Sequence, residues 1–91
     1  MLQIRTTAKM KRDVKAMQKR GKDMAKLASA LSLLAANQPL PESFRDHLLK
    51  GNMNGIRECH IETDWLLIYQ IVEKELVLIA LGTGSHSDLF K

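Results

Sequence analysis

Apolar residues at Met10, Val14 and Met17 recur at i, i+4 and i+7, the spacing that lines one face of an α-helix. Thr6 or Thr7 can cap its N-terminus with a hydroxyl oxygen. Gly21 supplies the backbone freedom that ends a helix reaching about Arg20. A second helix follows. Asp23 suits its first turn, where a carboxylate meets the positive end of the helix dipole. Met24, Leu27, Ala28, Leu31, Leu34 and Ala35 then form a wider apolar stripe at helical spacing. That helix stops near Asn37, ahead of Pro39 and Pro41. The two read as a helical hairpin, preceded by a short strand at residues 2–5.

Beyond residue 38 the period changes. Residues 38–55 hold both prolines and the Asn54-Gly55 turn signal. Extended segments follow at roughly 55–61, 65–72 and 76–82, separated by Thr63-Asp64 and Glu73-Lys74-Glu75. Connections this short predict an antiparallel meander. Segment 65–72 is apolar on both faces, as a covered central strand is, so Trp65 and Tyr69 belong to the core. The expectation is one α+β domain over residues 1–91: an N-terminal strand and a helical hairpin packed on one face of a small antiparallel sheet of three or four strands.

Composition alone says little more: 45% apolar and 26% charged residues in a chain of 91 describe an ordinary globular protein. Neither Trp65–Tyr69 nor Leu76–Leu81 approaches the ~20 apolar residues that span a bilayer, and Met1-Leu2-Gln3-Ile4-Arg5 is not an export signal. The single cysteine, Cys59, provides no intrachain disulfide. A cytoplasmic protein without a membrane partner is expected. Charge is more informative, because it is segregated. Residues 1–26 carry Arg5, Lys9, Lys11, Arg12, Lys15, Lys19, Arg20, Lys22 and Lys26 against Asp13 and Asp23, a net of +7. The remainder is net −3, giving +4 for the chain. A basic segment of that density favours polyanions such as RNA, since each neutralised phosphate releases counterions. A solvated helix surface is the plainer account of the same lysines.

All three histidines, His47, His60 and His86, fall outside the basic helices. Alternation along a strand puts Ile56, Glu58 and His60 on one face and Arg57, Cys59 and Ile61 on the other. Glu58 can then share a proton with His60 or fix its tautomer, while Cys59 reads as a buried apolar filler. Asp64 stands in the following turn and His86 just past the third strand. Imidazole suits phosphodiester cleavage because its ordinary pKa of about 6.5 allows proton transfer in both directions near neutrality. RNA brings its own nucleophile, the 2′-hydroxyl. Zinc is disfavoured, because no histidine pair has metal-ligand spacing and there is no second cysteine. No cofactor or metal is expected. Phe90, near the chain end, either packs there or stacks on a base.

The runs Phe44–Gly51, Gly55–Tyr69 and Leu81–Phe90 contain Asp46-His47, Arg57-Glu58-Cys59-His60, Asp64-Trp65-Leu66-Leu67-Ile68-Tyr69 and Thr83-Gly84-Ser85-His86-Ser87-Asp88-Leu89-Phe90. In that order they resemble the YafQ branch of the RelE/ParE toxin superfamily, and Lys11-Arg12-Asp13-Val14-Lys15 resembles the family's first helix. The resemblance implies a RelE-like fold and a type II toxin that enters the ribosomal A site, meets rRNA there, and cleaves bound mRNA without a metal to leave a 2′,3′-cyclic phosphate. It implies catalytic roles for His47, His60, Asp64 and His86, with His86 as general acid. Substrate contacts would come from Glu58, Phe90, Lys11, Arg12, Lys15, Lys50 and Arg57. The position of Glu58 is usually aspartate in the family pattern; the extra methylene keeps the charge but moves it. A cognate acidic antitoxin is implied as partner and suits the basic surface. Two rivals share parts of this pattern: a gyrase-targeting toxin of the ParE type, which generally lacks such a histidine set, and a non-catalytic RNA-binding module.

Overall fold

In the computed structural model, which describes residues 1–49 and 55–90, the two helices form where their caps and stripes put them. The Thr7 hydroxyl accepts from the Met10 amide to open α1, Ala8–Lys19, and Gly21, at φ +79°, follows its end. The Asp23 carboxylate accepts from the Ala25 amide to open α2, Met24–Ala35, and Asn37 turns left-handed two residues beyond. Met10 and Met17 of α1 and Leu27, Ala30 and Leu34 of α2 are buried in one core. Burying each larger apolar side chain is worth roughly 1.5–3 kcal/mol. The stripes, more than helix propensity, therefore hold the helices to the sheet.

The sheet has five strands among the described residues: β1 (Gln3–Thr6), β2 (His47–Leu48), β3 (Ile56–Glu62), β4 (Trp65–Val72) and β5 (Val77–Gly84), in the spatial order β1-β5-β4-β3-β2. From β2 to β5 it is the expected antiparallel meander. Two features differ from the sequence expectation. β1 lies parallel to β5, with Ile4 opposite Leu78, so the sheet is mixed. This pairing spans more than seventy residues and has no turn to announce it, whereas each antiparallel pair is specified by its own short connection. The second addition is β2, whose two residues are too few to show a period.

β4 sits centrally, and Trp65, Leu66, Leu67 and Tyr69 are all buried. Cys59 and Ile61 of β3 join the core beneath the helices. The alternate residues of β3, Glu58 and His60, consequently point to the opposite, open face. A short helix, α3 (His86–Leu89), follows β5. Its N-cap Ser85 hydroxyl accepts from the Asp88 amide, and the Asp88 carboxylate accepts in return from the Ser85 amide. Gly84 is required here, because a Cβ at that position would lie 2.9 Å from the Asp88 Cβ. Asn54 of the expected Asn54-Gly55 turn, together with Lys50 and Gly51, lies outside the described residues.

Candidate active site

Cross-strand register assembles the site. His47 stands opposite Glu58, while His60, Leu66 and Gly84 form one row across β3, β4 and β5. Asp64 lies in the turn that joins the first two strands of that row, and His86 begins two residues past its end. A register irregularity between His60 and Glu62 re-aims the chain beside the row. The three imidazoles meet as a result. The His47 and His60 ring centres are 6.5 Å apart, and those of His60 and His86 5.8 Å. Rings at such distances do not bond directly but leave room for a tetrahedral group between them.

Each ring is oriented through Nδ1. His86 Nδ1 lies 2.8 Å from Asp64 Oδ1, which also accepts from the His86 backbone amide at 2.9 Å. His60 Nδ1 faces the Thr63 carbonyl at a long 3.4 Å, and His47 Nδ1 faces the Arg45 carbonyl at 2.6 Å. All these partners are acceptors, so Nδ1–H donates and Nε2 is the nitrogen left for chemistry. On His60 and His86 it has no hydrogen-bond partner among the described residues. His47 differs: its Nε2 lies 2.9 Å from Oε2 of the buried Glu58. Both nitrogens of this ring are therefore engaged, Nδ1 by the Arg45 carbonyl and Nε2 by the Glu58 carboxyl. Arg45, whose carbonyl fixes this ring, has left-handed backbone at φ 49°, a local cost that such sites often carry.

The Asp64 carboxyl is held below the usual carboxylate range, first by the His86 amide and then by its imidazole. Burial pushes the Cys59 thiol up to about 12 on the far face, so it is a packed side chain and no nucleophile. Phe90 shares a hollow of about 420 Å³ with His47, Leu48, Leu49, Glu58 and His86. On the other side of the cluster, Ser43, Phe44, Arg45, His60, Glu62 and Thr63 line a second hollow of about 260 Å³.

Of the residues singled out in the sequence, His47, Glu58, His60, Asp64, His86 and Phe90 thus come together. Lys11, Arg12 and Lys15 stand exposed on α1, outside the bonded cluster. Lys50 lies outside the described residues. Arg57 does not join: its Nε donates to Asp46 at 3.3 Å on the helix side of β3, because it alternates with Glu58 and His60. Sequence reading missed Asp46, Arg45, Asp88 and Arg20. Only Asp88 carried a local signal, the Ser85-x-x-Asp88 capping spacing.

Solved structures of bacterial toxins share this mixed sheet backed by a helical pair. A toxin from Helicobacter pylori, solved in metal-bound form, is 43% identical with a TM-score of 0.95, over 99% of this chain and 100% of that one. The Escherichia coli DinJ–YafQ complex matches at 40% identity and TM-score 0.92, over the whole of both chains. The mRNA interferase toxin YafQ of E. coli K12 is 43% identical over 96% of this chain and 94% of its own length. The family described as "Bacterial toxin of type II toxin-antitoxin system, YafQ" matches residues 2–91, and the chain belongs to that family. Among the described residues no group of three His, Cys, Asp or Glu side chains is arranged to hold a metal ion. Nor is any helix of the described residues long and apolar enough to cross a membrane.

Proposed function

We propose that this protein is the toxin of a type II toxin–antitoxin pair and that it cuts messenger RNA in the ribosomal A site. The observation that carries the reading is the convergence of His47, His60 and His86, with Asp64 and Glu58, on one face of the sheet. Such a row supplies what cleavage by the 2′-hydroxyl needs: a base, an acid and a polar group to position the phosphate.

Roles follow from what each ring touches. His60, with Nδ1 on a neutral carbonyl and Nε2 without a hydrogen-bond partner among the described residues, takes the 2′-hydroxyl proton. The resulting oxygen attacks phosphorus, and the bond to the 5′-oxygen breaks. His86 in its protonated form, stabilised by the Asp64 carboxylate, delivers a proton from Nε2 to that leaving oxygen. The products are a 2′,3′-cyclic phosphate and a free 5′-hydroxyl. His47, held between Glu58 and the Arg45 carbonyl, positions the phosphate. Phe90 at the rim stacks on a base, and Lys11, Arg12 and Lys15 of α1 contact rRNA or mRNA phosphates. The relatives' names and the complexed YafQ structure support an mRNA substrate and an antitoxin partner, which for a toxin of net charge +4 is an acidic one. A cytoplasmic place of action belongs to the same reading.

The test is in vitro translation followed by primer extension on the mRNA, comparing wild type with His86→Ala. Cleavage is expected to disappear while circular dichroism and melting temperature stay the same. Undiminished cleavage by the variant removes the acid role from His86. Salt-sensitive RNA binding without any cut by the wild type favours the non-catalytic module instead.

A further inference from the structure

His47 is carried by a strand of two residues, and two ladder pairs do not by themselves hold a side chain in register. What else holds it lies on the opposite face of the sheet. Asp46, the residue before His47, accepts from Arg57 Nε at 3.3 Å and from the Tyr69 hydroxyl. Tyr69 is buried at the centre of β4, and Arg57 is the β3 neighbour of Glu58. Consecutive residues of a strand face opposite ways, so His47–Glu58 fastens β2 to β3 on the open side while Asp46–Arg57–Tyr69 fastens it on the helix side. Asp46 and Tyr69 belong to the Asp46-His47 and Asp64–Tyr69 runs, yet neither has a part in the chemistry above.

We infer that Asp46, Arg57 and Tyr69 form a positioning clamp that sets the His47 imidazole against Glu58 and the scissile phosphate. This rests on the catalytic reading, because the clamp acts only through His47. Burial accords with it. Tyr69 is buried, and its hydroxyl proton is held chiefly by burial and then by the Asp46 carboxylate, both of which disfavour the phenolate. The bond is therefore that of a neutral donor to a charged acceptor, which is stronger and shorter than a neutral pair. Arg57, assigned to RNA by the sequence reading, is spent on this contact.

The decisive variant is Tyr69→Phe, which removes one oxygen and keeps the ring in the core. About a tenfold fall in kcat at unchanged KM is expected, since small displacements of a reacting group carry penalties of that order or more. Nuclear Overhauser contacts between the His47 and Glu58 side chains should weaken, while those between His60 and His86 persist. Asp46→Asn, which keeps an acceptor oxygen, should lose less than Asp46→Ala. Leu31→Ala, a destabilised variant in α2 away from the cluster, controls for stability and should keep the wild-type kcat at temperatures where it is folded. Wild-type kcat in Tyr69→Phe, intact His47–Glu58 contacts, or an equal loss in Leu31→Ala overturns the clamp. If His47→Ala also cleaves like wild type, the catalytic reading of His47 fails instead, so the two failures are distinguishable.

Discussion

At one end of the imidazole row His47 meets a carboxylate, Glu58, whose side chain is 8% exposed; at the other His86 meets Asp64, which is 64% exposed. The lengths, 2.9 and 2.8 Å, are nearly equal, so the difference lies in the surroundings. Around Glu58 little water remains to compete, and removing the half-exposed His47 would leave the buried carboxyl without that partner. Around Asp64 water and salt compete freely, and the pair contributes little to stability. The site thus has a stiff end and a solvated end. The stiff end suits a side chain that positions the phosphate, which must not move. The solvated end suits a proton donor, which must be recharged from solvent after every turnover.

Glu58→Ala should break that contrast most severely. It strips His47 of its carboxylate and leaves a space at a buried position. A stability loss of about 2 kcal/mol is expected from a removed charged hydrogen bond, together with a fall in cleavage on the order of a hundredfold. Denaturant unfolding and single-turnover cleavage measure the two. A variant as stable as wild type would show that the buried carboxylate does not hold His47.

Asp64→Asn should cost less, about tenfold in kcat, because the amide oxygen still accepts from the His86 amide while the charge that favours imidazolium is gone. Its pH behaviour gives a second handle. A carboxyl held below its ordinary value of 3.8 contributes above that value and loses its contribution as pH falls through the folded one. The Asp64–His86 contact should therefore persist across the whole neutral range and break only in acid. The His86 amide resonance reports it: a shift already complete near neutrality would contradict the assignment.

Sequence pattern made some of this legible and not the rest. The Thr6-Thr7 pair and Asp23 marked both helix starts because such signals are local, although Thr7 is the one that caps α1 and Asp23 caps α2 from just before its first turn; β4 was recovered as 65–72 because an apolar run bounded by Asp64 and Glu73 admits no other strand. The shared face of Glu58 and His60 followed from alternation alone. Alternation equally placed Arg57 on the other face, so its assignment to RNA was already in tension with the strand reading. The meeting of Asp64 with His86 was different in kind. It depends on Leu66 standing opposite Gly84, a register shifted by an irregularity at Ile68 and Tyr69 that no local residue signals. Only the resemblance to a known family put those two residues in one site. The parallel β1–β5 pair and the partnership of Asp46 with Tyr69 were hidden for the same reason, since both join segments with no shared turn.

The smallest effect should come from Arg20→Ala, one residue beyond α1. Arg20 Nη1 and Nη2 grip the two Asp88 oxygens at 2.6 and 2.9 Å, tying α3, and with it His86, to the end of a helix 68 residues away in sequence. Asp88 is held well below the usual carboxylate range by Arg20 and then by the Ser85 amide, so this tie, like that of Asp64, is present above 3.8 and lost only in acid. Both side chains are substantially exposed, and the Ser85 cap survives the substitution. Cleavage should fall two- to threefold at low salt by the scale of exposed pairs. Added salt should bring wild type toward the variant, and Arg20→Lys, which keeps the charge but loses the two-pronged grip, should fall between them. A tenfold loss that persists in high salt would mean that His86 is held as rigidly as His47, and the distinction between a stiff end and a solvated end would disappear.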